Sequence, residues 1–191
     1  VLKFTVTKCE KAKGKLGVFF VGEDLKLEHL DLKYDYKADF KDMLKLRTHF
    51  KGKKGDVLSF VPSGKAEFQE VLVMGYGKAD KLNADAARSL GGKLVSYLNS
   101  RQEKEAVVCP NLPTKGKNTE TCICQDLYFG AASKNYRYND FFFDKKDDNK
   151  VYLESLEFCV HKPDECKKAL DQQQALMEVV TFSRNFVSQP G

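Results

Sequence analysis

The sequence predicts an α/β domain: a mixed β-sheet with helices on both faces. Three observations predict it. Strand-like and helix-like stretches alternate along the chain. Two runs, residues 17–21 and 71–74, are apolar without alternation, the pattern of strands buried on both faces. Two further stretches, 57–74 and 135–150, turn back like hairpins, which adds an antiparallel component.

The elements follow in order. Leu2, Phe4 and Val6 alternate with Lys3, Thr5 and Thr7, a half-buried strand. A basic turn spans residues 11–15, and the strand at 17–21 follows it. Residues 25–35 are charged and unpatterned, and read as loop. Residues 38–49 set Phe40, Met43, Leu44 and Arg47 along one side of a helix. The turn at 52–56 leads into a strand at 57–61. Pro62-Ser63-Gly64 reverses the chain, residues 68–74 return beside that strand, and Gly75-Tyr76-Gly77 ends it. Asn83 caps a helix with Asp85 in its first turn and Ala87, Leu90, Leu94 and Leu98 on one face. Gly91 and Gly92 each weaken this helix by about 1 kcal/mol relative to alanine. We therefore expect its backbone to approach the strands beneath closely.

Residues 105–109 form a short strand closed by Pro110, and a loop runs to residue 118. Asn118 or Thr119 caps the next helix, which carries Ile123, Leu127 and Ala131 to about residue 133. Residues 151–160 read as a long strand. Pro163, followed by Asp164 and Glu165, opens a long helix reaching residue 187. Its first half is amphipathic. Its second half is apolar nearly all round: Leu176, Met177, Val179, Val180, Phe182, Phe186 and Val187. Such a helix is surrounded by protein, either this domain's own core or something outside the chain. The stop at Gln189-Pro190-Gly191 favours the second. The organisation expected is an α/β unit over 1–162 and a long helix over 163–191 leading towards a further domain.

Composition narrows the function. With 191 residues and 42% hydrophobic residues the chain builds a sizeable core. No 18-residue apolar run spans a membrane, and the lysine-rich first twenty residues do not read as a secretory signal, so a cytoplasmic protein is expected. The first residue is Val1 rather than Met, which suggests a piece of a longer polypeptide. The net charge of +5 permits an anionic partner without demanding one. The six cysteines are expected to be reduced thiols, with Cys109 and Cys159 buried in strands.

No set of residues announces an active site. Gly75-x-Gly77 partly matches a dinucleotide fingerprint, but its third glycine position holds Asp80, which would repel a pyrophosphate. A turn needing glycine's freedom is the better reading. The glycine-lysine stretches at 52–55 and 63–65 lack P-loop spacing. His29, His49 and His161 sit in no paired motif. Cys159, His161 and Cys166 match no usual zinc spacing. Asp147-Asp148 follows two lysines and reads as a solvated turn. Lys51, Lys53 and Lys54 make a patch too small for a convincing nucleic-acid site. We expect no catalytic, metal-binding or ligand-binding residue in this chain.

The order of segments carries more. GKKGDVLSFVPSG, EVLVMGYGKADKLNADAARSLGGKLVSYL, LYFGAASKNYRYNDFFFDKK, LESLEF and EVVTFSRNFVSQPG occur in that order. Together they resemble the amino-terminal domain of the leucyl (cytosol) aminopeptidase family. The terminal pattern rests on Ser183, Arg184, Asn185, Phe186 and Pro190. The resemblance implies a macro-domain-like fold. It also implies a parent enzyme that uses two divalent metals, Zn or Mn, to release amino-terminal residues from peptides. The catalytic domain would follow in the same polypeptide, and the full-length enzyme would be a homo-hexamer. Some bacterial relatives also contact DNA. The family's metal motifs, Asp-Ser-Gly-Gly and Asn-Thr-Asp-Ala-Glu-Gly-Arg, are absent here, so this chain alone is expected to be inactive. Val179, Phe182, Arg184, Phe186 and Val187 are the residues expected at the inter-domain contact. The competing reading is a macro-domain-like module that binds ADP-ribose or nucleic acid, although the paired asparagines and glycine loop of ADP-ribose binders are missing.

Overall fold

A computed structural model describes residues 1–28, 31–114, 119–136 and 151–187. One six-stranded sheet runs through it in the order β1-β6-β5-β2-β4-β3. The strands are β1 (Lys3–Lys8), β2 (Gly14–Gly22), β3 (Val57–Phe60), β4 (Phe68–Gly77), β5 (Glu105–Val108) and β6 (Ser155–Val160). All neighbours are parallel except β3, which pairs antiparallel with β4 at the edge. The mixed sheet and its 57–74 hairpin are as expected. The second hairpin-like stretch, 135–150, lies almost entirely outside the described residues, as do Asp147 and Asp148.

Alternation along each strand divides the core in two. Leu16, Val18 and Phe20 of β2, with Leu72 and Met74 of β4, face helices α2 (Ala84–Ser100), α3 (Glu120–Asn135) and α4 (Pro163–Val187). Phe19, Val21, Val71 and Val73 face the other way, towards α1 (Tyr36–Leu46). The central strands are apolar on both sides because both sides are covered.

Two helices start on caps expected from the sequence, Asn83 and Thr119, and a third starts on Asp35, which the sequence reading passed over. Asp35, Asn83 and Thr119 each accept a hydrogen bond from a backbone N–H in the first turn of α1, α2 and α3. The Asp35 cap starts α1 two residues before the expected position, and it ends at Leu46 rather than at His49.

Other expectations need correction. β4 does not stop before its glycines. It continues through Gly77 because the glycines let the 52–56 turn pack on the strand backbone. A Cβ on Gly75 would lie 2.2 Å from the Lys53 carbonyl oxygen. Gly77 adopts a φ of 84°, open to glycine at little cost. Residues 151–154 are not strand, and β6 begins at Ser155. The Tyr152 and Leu153 N–H groups instead donate to the Asn99 side chain at 2.7 and 2.9 Å. Gly91 approaches a helix rather than the strands: its added Cβ would meet the Leu127 carbonyl oxygen of α3 at 2.0 Å. From the α3 side, Gly130 would meet the Arg88 carbonyl oxygen at 1.8 Å. The second half of α4, which the sequence left between this domain's core and an outside partner, divides between the two. Cys166, Leu170 and Met177 are buried, whereas Val179, Phe182 and Phe186 are exposed.

Candidate functional site

The carboxyl ends of the parallel strands bound a cavity of about 940 Å³. Its position follows from topology. After β2 the chain moves to one side of the sheet, and after β5 it moves to the other, yet β2 and β5 are neighbours. That divergence opens a crevice above the strand ends. Cys109 to Thr114 follow β5, Cys9 follows β1, and Cys159 and His161 stand at the end of β6. Thr119, Glu120 and Thr121 from the start of α3 complete one wall.

Pro110 ends β5, having no N–H to continue the ladder. Asn111 then takes over. Its side chain accepts from the Phe20 N–H at 2.8 Å and donates to the Phe20 carbonyl at 2.9 Å, imitating a neighbouring strand. This keeps the exposed edge of β2 paired at the mouth of the cavity.

His161, Glu120 and Lys162 carry paired charges at the mouth. His161 Nδ1 lies 2.8 Å from Glu120 Oε1, and the His161 backbone N–H donates to Glu120 Oε2 at 3.1 Å. His161 Nε2 bonds Asp31. The hydrogen bond with Glu120, opposed by partial desolvation and aided by Asp31, raises the imidazole to about 9. His161 is therefore an imidazolium at neutral pH, with both nitrogens committed to carboxylates. It has no lone pair with which to activate a thiol. Hydrogen bonding to Cys159 and burial push the Cys9 thiol well up, so Cys9 presents no ready thiolate to it. Lys162 pairs with Glu165 at 3.2 Å.

His161 supplies a pH-dependent brace across β6, α3 and the loop at Asp31. Its folded value lies above the ordinary 6.5. The stabilisation is thus complete below about pH 6.5 and is lost as pH rises through 9. The side chain is 55% exposed, and solvent screening holds the effect to about 1 kcal/mol. Urea denaturation of the protein and of His161→Gln should differ by that amount at pH 6 and converge by about pH 10.

The other sequence candidates disperse. Among the described residues no group of three or more His, Cys, Asp or Glu is placed to hold a metal ion. Cys159 and Cys166 lie in different halves of the core, Cys166 facing α3 beside Cys124. The side chains of Lys51, Lys53 and Lys54 are exposed on a turn whose backbone is held by Asp56. His49 is exposed, and His29 lies outside the described residues. No described helix is long and apolar enough to cross a membrane.

Towards the end of α4, three of the candidate contact residues, Val179, Phe182 and Phe186, share one side with Leu176, and Arg184 does not join them. Leu176, Val179, Phe182 and Phe186 are 50, 62, 72 and 72% exposed and lie at spacings of three, three and four. That spacing gives one helix face. Arg184 lies over the Tyr136 ring at 5.6 Å, and the Tyr136 hydroxyl bonds Asn185, which ties this part of α4 to the end of α3. Val187 ends the helix. The cavity escaped sequence reading because its walls come from five separated segments.

The fold is thus a mixed α/β domain that carries, among its described residues, an exposed apolar stripe on its last helix. Comparison with known proteins gives the family. The model of the cytosol aminopeptidase family, N-terminal domain, matches residues 16–144. A probable cytosol aminopeptidase of Ehrlichia ruminantium (strain Gardel) is 30% identical over 142 residues, covering 74% of this chain and 27% of that protein. A probable cytosol aminopeptidase of Aquifex aeolicus is 32% identical over 184 residues, covering 95% of this chain and 35% of that protein. A tomato leucine aminopeptidase mutant superposes with a TM-score of 0.70 at 15% identity, over 100% of this chain and 39% of its own. The bottromycin maturation enzyme BotP in complex with Mn superposes at 0.63, also at 15% identity, over 92% of this chain and 32% of its own. The chain belongs to the cytosol aminopeptidase family, as its amino-terminal domain. It spans about a third or less of the curated relatives described here. The reading as an ADP-ribose or nucleic-acid module gains nothing from these matches.

Proposed function

We propose that this chain is the non-catalytic part of a metallo-aminopeptidase, and that its α4 stripe packs against a catalytic domain in the same polypeptide. The parent would remove amino-terminal residues from peptides with two divalent metals, Zn or Mn, as a cytoplasmic hexamer. The residues of this chain do not fit those metals. Among the described residues none form a ligand cluster, and the family's metal motifs are absent from the sequence. The chain's own contribution is a rigid sheet and a helix whose apolar face needs cover.

One observation carries the reading: Phe182 and Phe186 stand largely in water on an otherwise well-packed domain. Two phenylalanines and two aliphatic residues on one face mark a surface to be buried. The test is hydrolysis of a leucine anilide by the 191-residue chain with added Mn or Zn. The expected rate is that of buffer alone. Metal-dependent turnover by this chain would overturn the proposal.

A further inference from the structure

Three of the six cysteines meet on the floor of the cavity: Cys9, Cys109 and Cys159. They belong to the same half of the core and are almost fully buried. Val108 of β5 lies opposite Phe158 of β6, so the next pair in register is Cys109 with Cys159. Adjacent strands stand about 4.8 Å apart. That falls within the roughly 4.4–6.8 Å between Cα atoms that a disulfide spans. Cys109 lies one residue beyond the end of β5 and just before Pro110, where the chain leaves the ladder. The strand ends can therefore adjust to the geometry of the bond. The cavity admits a small oxidant to both sulfurs without unfolding.

We propose that Cys109 and Cys159 form a reversible disulfide when the protein meets hydrogen peroxide. The Cys109 thiolate attacks one peroxide oxygen. The O–O bond breaks, an S–O bond forms, and the departing hydroxide takes a proton to become water. The Cys159 thiolate then attacks the Cys109 sulfur. The S–O bond breaks, an S–S bond forms, and a second hydroxide leaves as water. Two thiols are oxidised by two electrons, and one peroxide is reduced to two waters. Hydrogen bonding to Cys109 and burial raise the Cys159 thiol, which makes the reaction slow rather than absent. The disulfide would tie the exits of β5 and β6 together beneath the cavity. The inference does not depend on what α4 packs against.

The experiment treats the 191-residue chain with hydrogen peroxide under native conditions, then alkylates it in denaturant and maps unreduced peptides by mass spectrometry. Two of the six thiols should resist alkylation, a Cys109–Cys159 peptide should be found, and dithiothreitol should release it. Cys122→Ser should leave that linkage unchanged, since Cys122 is the partly exposed thiol outside the cavity. Six free thiols, oxidation confined to Cys122, or a linkage through Cys9 would each overturn the proposal. The peptide map of the unsubstituted protein decides the matter whether or not a Cys159→Ala variant folds.

Discussion

Gly130→Ala should lower stability by about 2–3 kcal/mol, towards the upper end of the usual cost of overpacking. The added methyl would sit 1.8 Å from the Arg88 carbonyl oxygen and 2.6 Å from its carbon. These are backbone atoms of α2, which cannot rotate aside as a side chain does. Relief comes only from separating α2 and α3, which strips contacts from Leu90, Leu94, Leu127 and Ala131 in the core between them. Helix propensity returns about 1 kcal/mol and does not offset the overlap. Gly92→Ala provides the control, because its Cβ would stand an ordinary 3.6 Å from the Gly130 carbonyl. That variant should be neutral or slightly more stable. Urea denaturation midpoints with unchanged slopes would establish both results. A Gly130→Ala protein as stable as the parent would show that the helices do not cross as described.

Phe68→Ala should cost about 3–5 kcal/mol, as for other buried phenylalanines. Phe68 packs edge-on to Phe19 at 5.9 Å and beside Tyr36 at 6.1 Å. Tyr36 is fixed in turn by its hydroxyl, which donates to Glu67 at 2.9 Å and accepts from the Phe68 N–H at 3.3 Å. The ring lies so close to β2 that a Cβ on Gly17 would approach Phe68 Cδ2 to 2.4 Å. Gly17→Ala alone should therefore destabilise by about 1–3 kcal/mol. In the Phe68→Ala background the same change should cost little, because the space is vacant. The double variant should be more stable than the sum of its parts by about 1 kcal/mol or more. Simple additivity would deny that the two positions touch.

Much of the sheet was legible because apolar runs report burial directly. Residues 17–21 and 71–74 lack alternation, and both strands are covered on each face. The Asn83 and Thr119 caps were legible for a local reason: a short polar side chain before an apolar period satisfies N–H groups within its own turn. What could not be read depended on distant partners. Gly75 to Gly77 look like a strand terminator until the 52–56 turn is seen lying on them. Residues 151–154 look like strand until Asn99 claims their amides. The α4 stripe was legible as apolar, but pattern alone cannot say which side of an all-apolar helix meets its own core. The cavity was invisible because Cys9, Cys109 and Cys159 are far apart in sequence and meet only through strand order. The pairing of His161 with Glu120 and Asp31 was hidden for the same reason.

The placement of β1 at the sheet's far edge has a consequence for biosynthesis. Among the described residues its strand partner is β6, and Lys3 aligns with Ser155. As the chain leaves the ribosome, β1 must wait unpaired while the strands that follow it are made. Late, long-range closure of this kind is slow. A chaperone that shields nascent chains would therefore find Leu2, Phe4 and Val6 among the last apolar residues to be sheltered.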